Sequence, residues 1–98
     1  MNFKELHLSE GKTIISREPG NSMTPRIKSG QPVKIEPATV DTVKSGDIVY
    51  CKVHGRYYTH IVIAKDEKKG CLIGNNHGRA NGWTKNIYGK VIEIIKVK

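Results

Sequence analysis

The sequence predicts an all-β fold, a small, partly closed, barrel-like sheet of short strands, on three observations. Five or more β-rich runs recur along the chain, glycine-bearing turns separate them, and 98 residues suffice for one domain and no second one. A mainly β reading of this kind leaves little of the chain for helix.

The elements follow in order. Residues 3–11 carry Phe3, Leu6 and Leu8 at mixed spacing, which fits a short helix or a strand-like arm ending at Gly11. This N-terminal arm (1–11) precedes a β core (12–98). Thr13-Ile14-Ile15-Ser16 is β-rich, and Glu18-Pro19-Gly20-Asn21 is turn chemistry that ends the strand just before Ser22. Val33 and Ile35 alternate with Lys34 and Glu36, bracketed by Pro32 and Pro37 at positions a strand end tolerates. Val43 to Asp47 is a turn opening into Ile48 to Val53. His54-Gly55-Arg56 then reverses the chain into Tyr57 to Ala64, a hairpin. Asp66 to Gly70 reads as a charged turn, Cys71 to Ile73 as a short strand, and Gly74 to Gly82 as a loop whose glycines and asparagines exclude regular structure. Tyr88 to Lys98 is a β-branched closing strand. Alternation assigns the core to Val49, Cys51, Val53, Ile61, Ile63, Leu72, Ile73, Val91 and Ile94.

With 37% hydrophobic and 27% charged residues the chain has a globular composition. No run approaches the roughly 20 apolar residues that cross a bilayer. Glu5, His7 and Glu10 stand where a secretory signal needs an apolar stretch, so a cytoplasmic protein without a transmembrane segment is expected. In that compartment Cys51 and Cys71 are expected as free thiols. A net charge of +8 favours an acidic partner or nucleic acid, but the basic residues are scattered singly apart from Lys68-Lys69, the pattern of a solubilising surface as well.

Motif order carries the functional reading. Gly20-Asn21-Ser22-Met23-x-Pro25 sits on a turn. Lys28-Ser29-Gly30-Gln31 and Ser45-Gly46-Asp47-Ile48-Val49 follow, and then a histidine on the next strand. This succession, from about Gly20 to about Val91, resembles the superfamily of signal peptidases and LexA-type self-cleaving repressors, in the manner of its small bacterial and phage members. The resemblance implies a serine peptidase acting on a peptide or protein substrate, with Ser22 as nucleophile and Met23 beside it as a substrate contact. It also implies small side chains before the scissile bond and a substrate extended along a sheet edge.

A serine hydroxyl needs a neighbouring base to accept its proton. In the bacterial members that base is a lysine, but no lysine occurs between Lys52 and Lys65, and the corresponding segment is Tyr58-Thr59-His60-Ile61. His60 there resembles the archaeal and endoplasmic-reticulum signal peptidases, and an imidazole with a pKa near 6.5 suits the role at neutral pH. The histidine-type relatives orient that ring with an aspartate from a loop. The matching loop here offers Asn75, Asn76 and, further on, Asn81, and an asparagine can orient a histidine through its carbonyl oxygen. The oxyanion is expected at the backbone N–H of Ser22, with the Asn21 side chain or a neighbouring N–H as a second donor.

Other readings stand beside these. Ser22 is also an ordinary turn residue, His60 an ordinary half-buried strand histidine, and the asparagine-rich loop a turn scaffold. The fold also serves as an inactive binding module, in which Arg79, Trp83 and Lys85 combine charge with a stacking surface for nucleic acid or an acidic protein. Cys51, His54, Cys71 and His77 supply zinc-type donors, but C-x2-H and C-x5-H are not finger spacings and Cys51 alternates with Val49 and Val53. No metal or cofactor is expected, and His54 and His77 have no assigned role.

Overall fold

A computed structural model describes residues 2–96. Helix α1 (Phe3–Ser9) precedes strands β1 (Ile14–Arg17), β2 (Pro32–Pro37), β3 (Ile48–Val53), β4 (Arg56–Asp66), β5 (Gly70–Gly74), β6 (Ala80–Thr84) and β7 (Ile87–Ile94). All pair antiparallel in one sheet of order β1-β2-β7-β3-β4-β5-β6, which leaves β1 and β6 as edges. The fold is mainly β and the sheet is not closed. Val97 and Lys98, assigned from sequence to the last strand, lie outside the described residues.

Residues 2–11 resolve in favour of the helix. The Asn2 side chain caps it by accepting the Glu5 N–H at 2.8 Å, which satisfies one of the first-turn donors that no helical carbonyl reaches. Leu8 is buried, and the Tyr57 hydroxyl donates to Glu5. Phe3 is left exposed.

The apolar residues form two clusters, because the curled sheet is covered on both faces. Successive side chains of a strand point to opposite faces. On β3, Val49, Cys51 and Val53 join Val43, Val62, Cys71, Ile73 and Ile87 in one cluster. Tyr50, between them, joins Leu8, Met23, Ile27, Val33 and Ile35 in the other, with Ile61, Val91 and Ile94 packed at its margin. Cys51 and Cys71 are free and buried, and burial pushes the Cys51 thiol up to about 12.

Three expectations are corrected. Leu72 is only half-buried and belongs to neither cluster, because alternation on β5 turns Cys71 and Ile73 inward instead. Ile63 is 41% exposed rather than in the core. Val62 pairs with Ile73 and Ala64 with Leu72, so Ile63 is the extra residue of a β-bulge, which breaks the alternation. The segment 74–82 is not all loop either, since Gly74 ends β5 and Ala80–Gly82 begin β6. The turn between them is short because the Asn75 side-chain oxygen accepts the N–H groups of His77 and Arg79. Among the described residues no helix is long and apolar enough to cross a membrane.

Candidate active site

Ser22 lies on the connection between β1 and β2. Gly20, at φ +97°, takes a conformation that a side chain disfavours, and so turns the chain after β1. Thr24 closes the turn, its N–H and its hydroxyl both donating to the Asn21 carbonyl at 3.2 and 2.8 Å. Met23 and Ile27 pack into the second cluster and anchor the loop. The segment after β5 holds it from the far side. The Asn76 N–H donates to the Ser22 carbonyl at 2.9 Å, the Asn76 amide donates to the Thr24 carbonyl at 2.8 Å, and His77 Nε2 lies 2.9 Å from the Asn21 carbonyl. A carbonyl only accepts, so His77 Nε2 carries the proton.

His60 is placed by the sheet. It sits opposite Val49 in the β3–β4 ladder, is 7% exposed, and stacks on the Tyr58 ring at 4.9 Å between centroids. Its Nε2 is 2.9 Å from Ser22 Oγ and its Nδ1 is 2.7 Å from Asn81 Oδ1. The protonation pattern is assigned from this network. Asn81 Oδ1 only accepts, so Nδ1 holds the proton and Nε2 is free to accept from the serine hydroxyl. Burial pushes the His60 pKa below its ordinary value. The bond to Asn81 and the negative charge of Glu18 oppose this without cancelling it, which favours the neutral ring at neutral pH.

Asn81 reaches the ring through another bulge. Ile73 pairs with Gly82 and Gly74 with Ala80, so one step on β5 matches two on β6 and Asn81 is the extra residue. Of the three loop asparagines offered by the sequence, Asn81 alone contacts His60. Asn75 and Asn76 brace the two turns instead. The Asn21 side chain is exposed, and its carbonyl is part of the turn.

A cleft of about 260 Å³ opens beside Ser22 and His60, with Met23, Ile27, Tyr57 and Tyr58 as apolar walls and Glu18 and Thr59 as polar ones. Burial would raise the Glu18 carboxyl, but hydrogen bonds from Lys4 and Ser16 and the Lys4 charge outweigh it and hold the group below its ordinary value. The Thr59 hydroxyl is buried without a hydrogen-bond partner among the described residues. β4 runs past the end of β5, since its ladder with that strand begins only at Ile61. Residues 57–60 therefore present a strand edge to the cleft.

Arg79, Trp83 and Lys85 do not line this cleft. Trp83 is half-buried on β6 with the Lys69 ammonium 5.4 Å above its ring. Among the described residues no group of three or more His, Cys, Asp or Glu side chains is placed to hold a metal ion. The sequence reading missed His77, Glu18 and Thr59, and it offered Asn76 as an orienting group rather than as the brace of the Ser22 turn. Only a G-N-N-H turn and a carboxylate just before the Ser22 turn were there to signal them.

An antiparallel β domain that offers a serine hydroxyl to an imidazole, itself hydrogen-bonded at its other nitrogen, is laid out as a serine-peptidase-like domain. The chain belongs to the Peptidase S24-like family, whose model it matches over residues 2–92, in keeping with the LexA and signal peptidase resemblance of its motifs. No curated protein matches the chain.

Proposed function

We propose that the protein is a serine endopeptidase in which Ser22 is the nucleophile, His60 the general base and Asn81 the group that orients the base. The Ser22–His60–Asn81 chain of contacts, at 2.9 and 2.7 Å, carries this reading. The Ser22 proton moves to His60 Nε2 as Oγ bonds to the substrate carbonyl carbon. The resulting oxyanion is met by the Ser22 backbone N–H. His60 then gives its proton to the amide nitrogen, the C–N bond breaks, and an ester to Ser22 remains. Water, deprotonated by His60, hydrolyses the ester and restores the hydroxyl.

Asn81 fixes the tautomer but brings no negative charge to steady the imidazolium, so turnover is expected to be slower than with a carboxylate in its place. The strand edge at 57–60 suits an extended substrate bound through its main chain, and Met23 lines the cleft that takes a side chain next to the scissile bond. The test is a peptide mixture incubated with the wild type and with Ser22→Ala and read by mass spectrometry. New peptide termini that appear only with the wild type are expected. A mixture left intact by the wild type at any pH between 5 and 9 overturns the reading.

A further inference from the structure

A second groove, of about 550 Å³, lies on the same connection that carries Ser22, and it is lined by four cations: Arg17, Arg26, Lys28 and Lys96. Among the described residues no acidic one lines it. Among the described residues none of the four takes part in an ion pair, although Lys4, Lys12 and Lys90 each find a carboxylate. Arg17 is held in place by donating to the Gly30 carbonyl at 3.2 Å, and Ser29 and Gln31 add polar groups to the wall. Four like charges gathered without a counter-charge repel one another, and an anionic ligand relieves that repulsion.

We infer that this groove is a docking site for an acidic stretch of a polypeptide, one that flanks the bond to be cleaved. The identification of that polypeptide as substrate rests on the peptidase reading; the groove's affinity for acidic peptide does not. Ser22 and Pro25, which lines the groove, are three residues apart, at most about 11 Å along the chain. An extended peptide covers that in roughly three residues. The acidic residues thus fall about three to six positions from the scissile bond. The groove has no aromatic residue on which a base would stack, which favours carboxylates over single-stranded nucleic acid. The scattered cations of the sequence concealed the site, because Arg17, the 25–31 loop and Lys96 meet only once β1, β2 and β7 pair.

The test uses the full chain carrying Ser22→Ala, so that binding is read without cleavage. The probe is a fluorescein-labelled peptide of six alanines followed by six glutamates, measured by anisotropy beside the all-alanine peptide extended with serines and beside 12-nucleotide single-stranded and duplex DNA. The acidic peptide is expected to bind best and to weaken between 50 and 200 mM salt. Arg26→Glu with Lys28→Glu, both at exposed positions, is expected to lower its affinity on the order of tenfold or more. Lys44→Glu with Lys68→Glu makes the same change in net charge elsewhere and is expected to alter it less than about twofold. Should the first pair fail to fold, Lys28→Gln with Lys96→Gln replaces it. Absence of binding, equal weakening by both pairs, or tighter binding of either DNA with the same dependence on Arg26 and Lys28 overturns the proposal. A protein that binds the acidic peptide but cleaves nothing as wild type supports the groove while removing the peptidase reading.

Discussion

The two halves of the site are held in different ways. His60 and Asn81 stand on hydrogen-bonded strands, their positions fixed by ladder register and by one bulge. Ser22 stands on a turn that is secured by Met23 and Ile27 below and by the Asn76 and His77 contacts above. The proposed base is thus set by the same pairing that builds the core, whereas the proposed nucleophile depends on a few contacts between two loops. Substitutions on the strand side should change the chemistry, and substitutions on the loop side should change mainly how often the serine is in place.

The largest effects should come from the reacting pair. Ser22→Ala and His60→Ala are each expected to lower kcat by at least about 10⁴-fold, and the double variant to be little worse than either. Fully additive losses, measured on one cleavable peptide, would separate the two residues. Asn81→Ala is expected to cost about 10²-fold with the fold intact, because the ring loses its tautomer. Asn81→Asp sharpens the comparison. A carboxylate beside His60 favours the imidazolium and should shift the activity profile to higher pH, read from kcat/KM against pH. On the loop side, His77→Ala is expected to lower kcat/KM by only about 2- to 10-fold without moving that profile. A shifted profile would mean that His77 acts on the base and not on the turn.

Smaller still is the effect of His60 on stability. The folded pKa lies below the unfolded value of about 6.5, so the unfolded chain binds more protons as pH falls through that region. The His60 contribution is fully present above about pH 6.5 and diminishes below it. Denaturant midpoints of the wild type should fall from pH 7 to pH 5 more than those of His60→Gln.

The same division governs what could be read from the sequence. Hairpin β3–β4 was legible because Ile48 to Val53 and Tyr57 to Ala64 flank a glycine turn, and Ser22 was legible because its neighbours form an ordered motif. His60 was legible as the histidine on the following strand, at the position where the resembling family carries its base. The bulges were not legible. No residue type marks Asn81 or Ile63 as the extra one, so the asparagine that meets His60 stayed one of three and Ile63 was placed in the core. The loop-to-loop contacts of Asn76 and His77 were hidden for another reason, since partners 52 positions apart for Asn76 and Thr24 and 56 for His77 and Asn21 leave no local pattern.

The account turns on whether a neutral His60 activates Ser22, and the rate of covalent labelling by a fluorophosphonate, followed by intact mass from pH 5 to 9, asks this without any knowledge of the substrate. One adduct per chain on Ser22 is expected, with a rate that rises through a single ionisation below about 6.5 and then levels off, and with neither Ser22→Ala nor His60→Ala labelled appreciably. Labelling that persists in His60→Ala, or that rises only near pH 8–9, would contradict it and point to a different base.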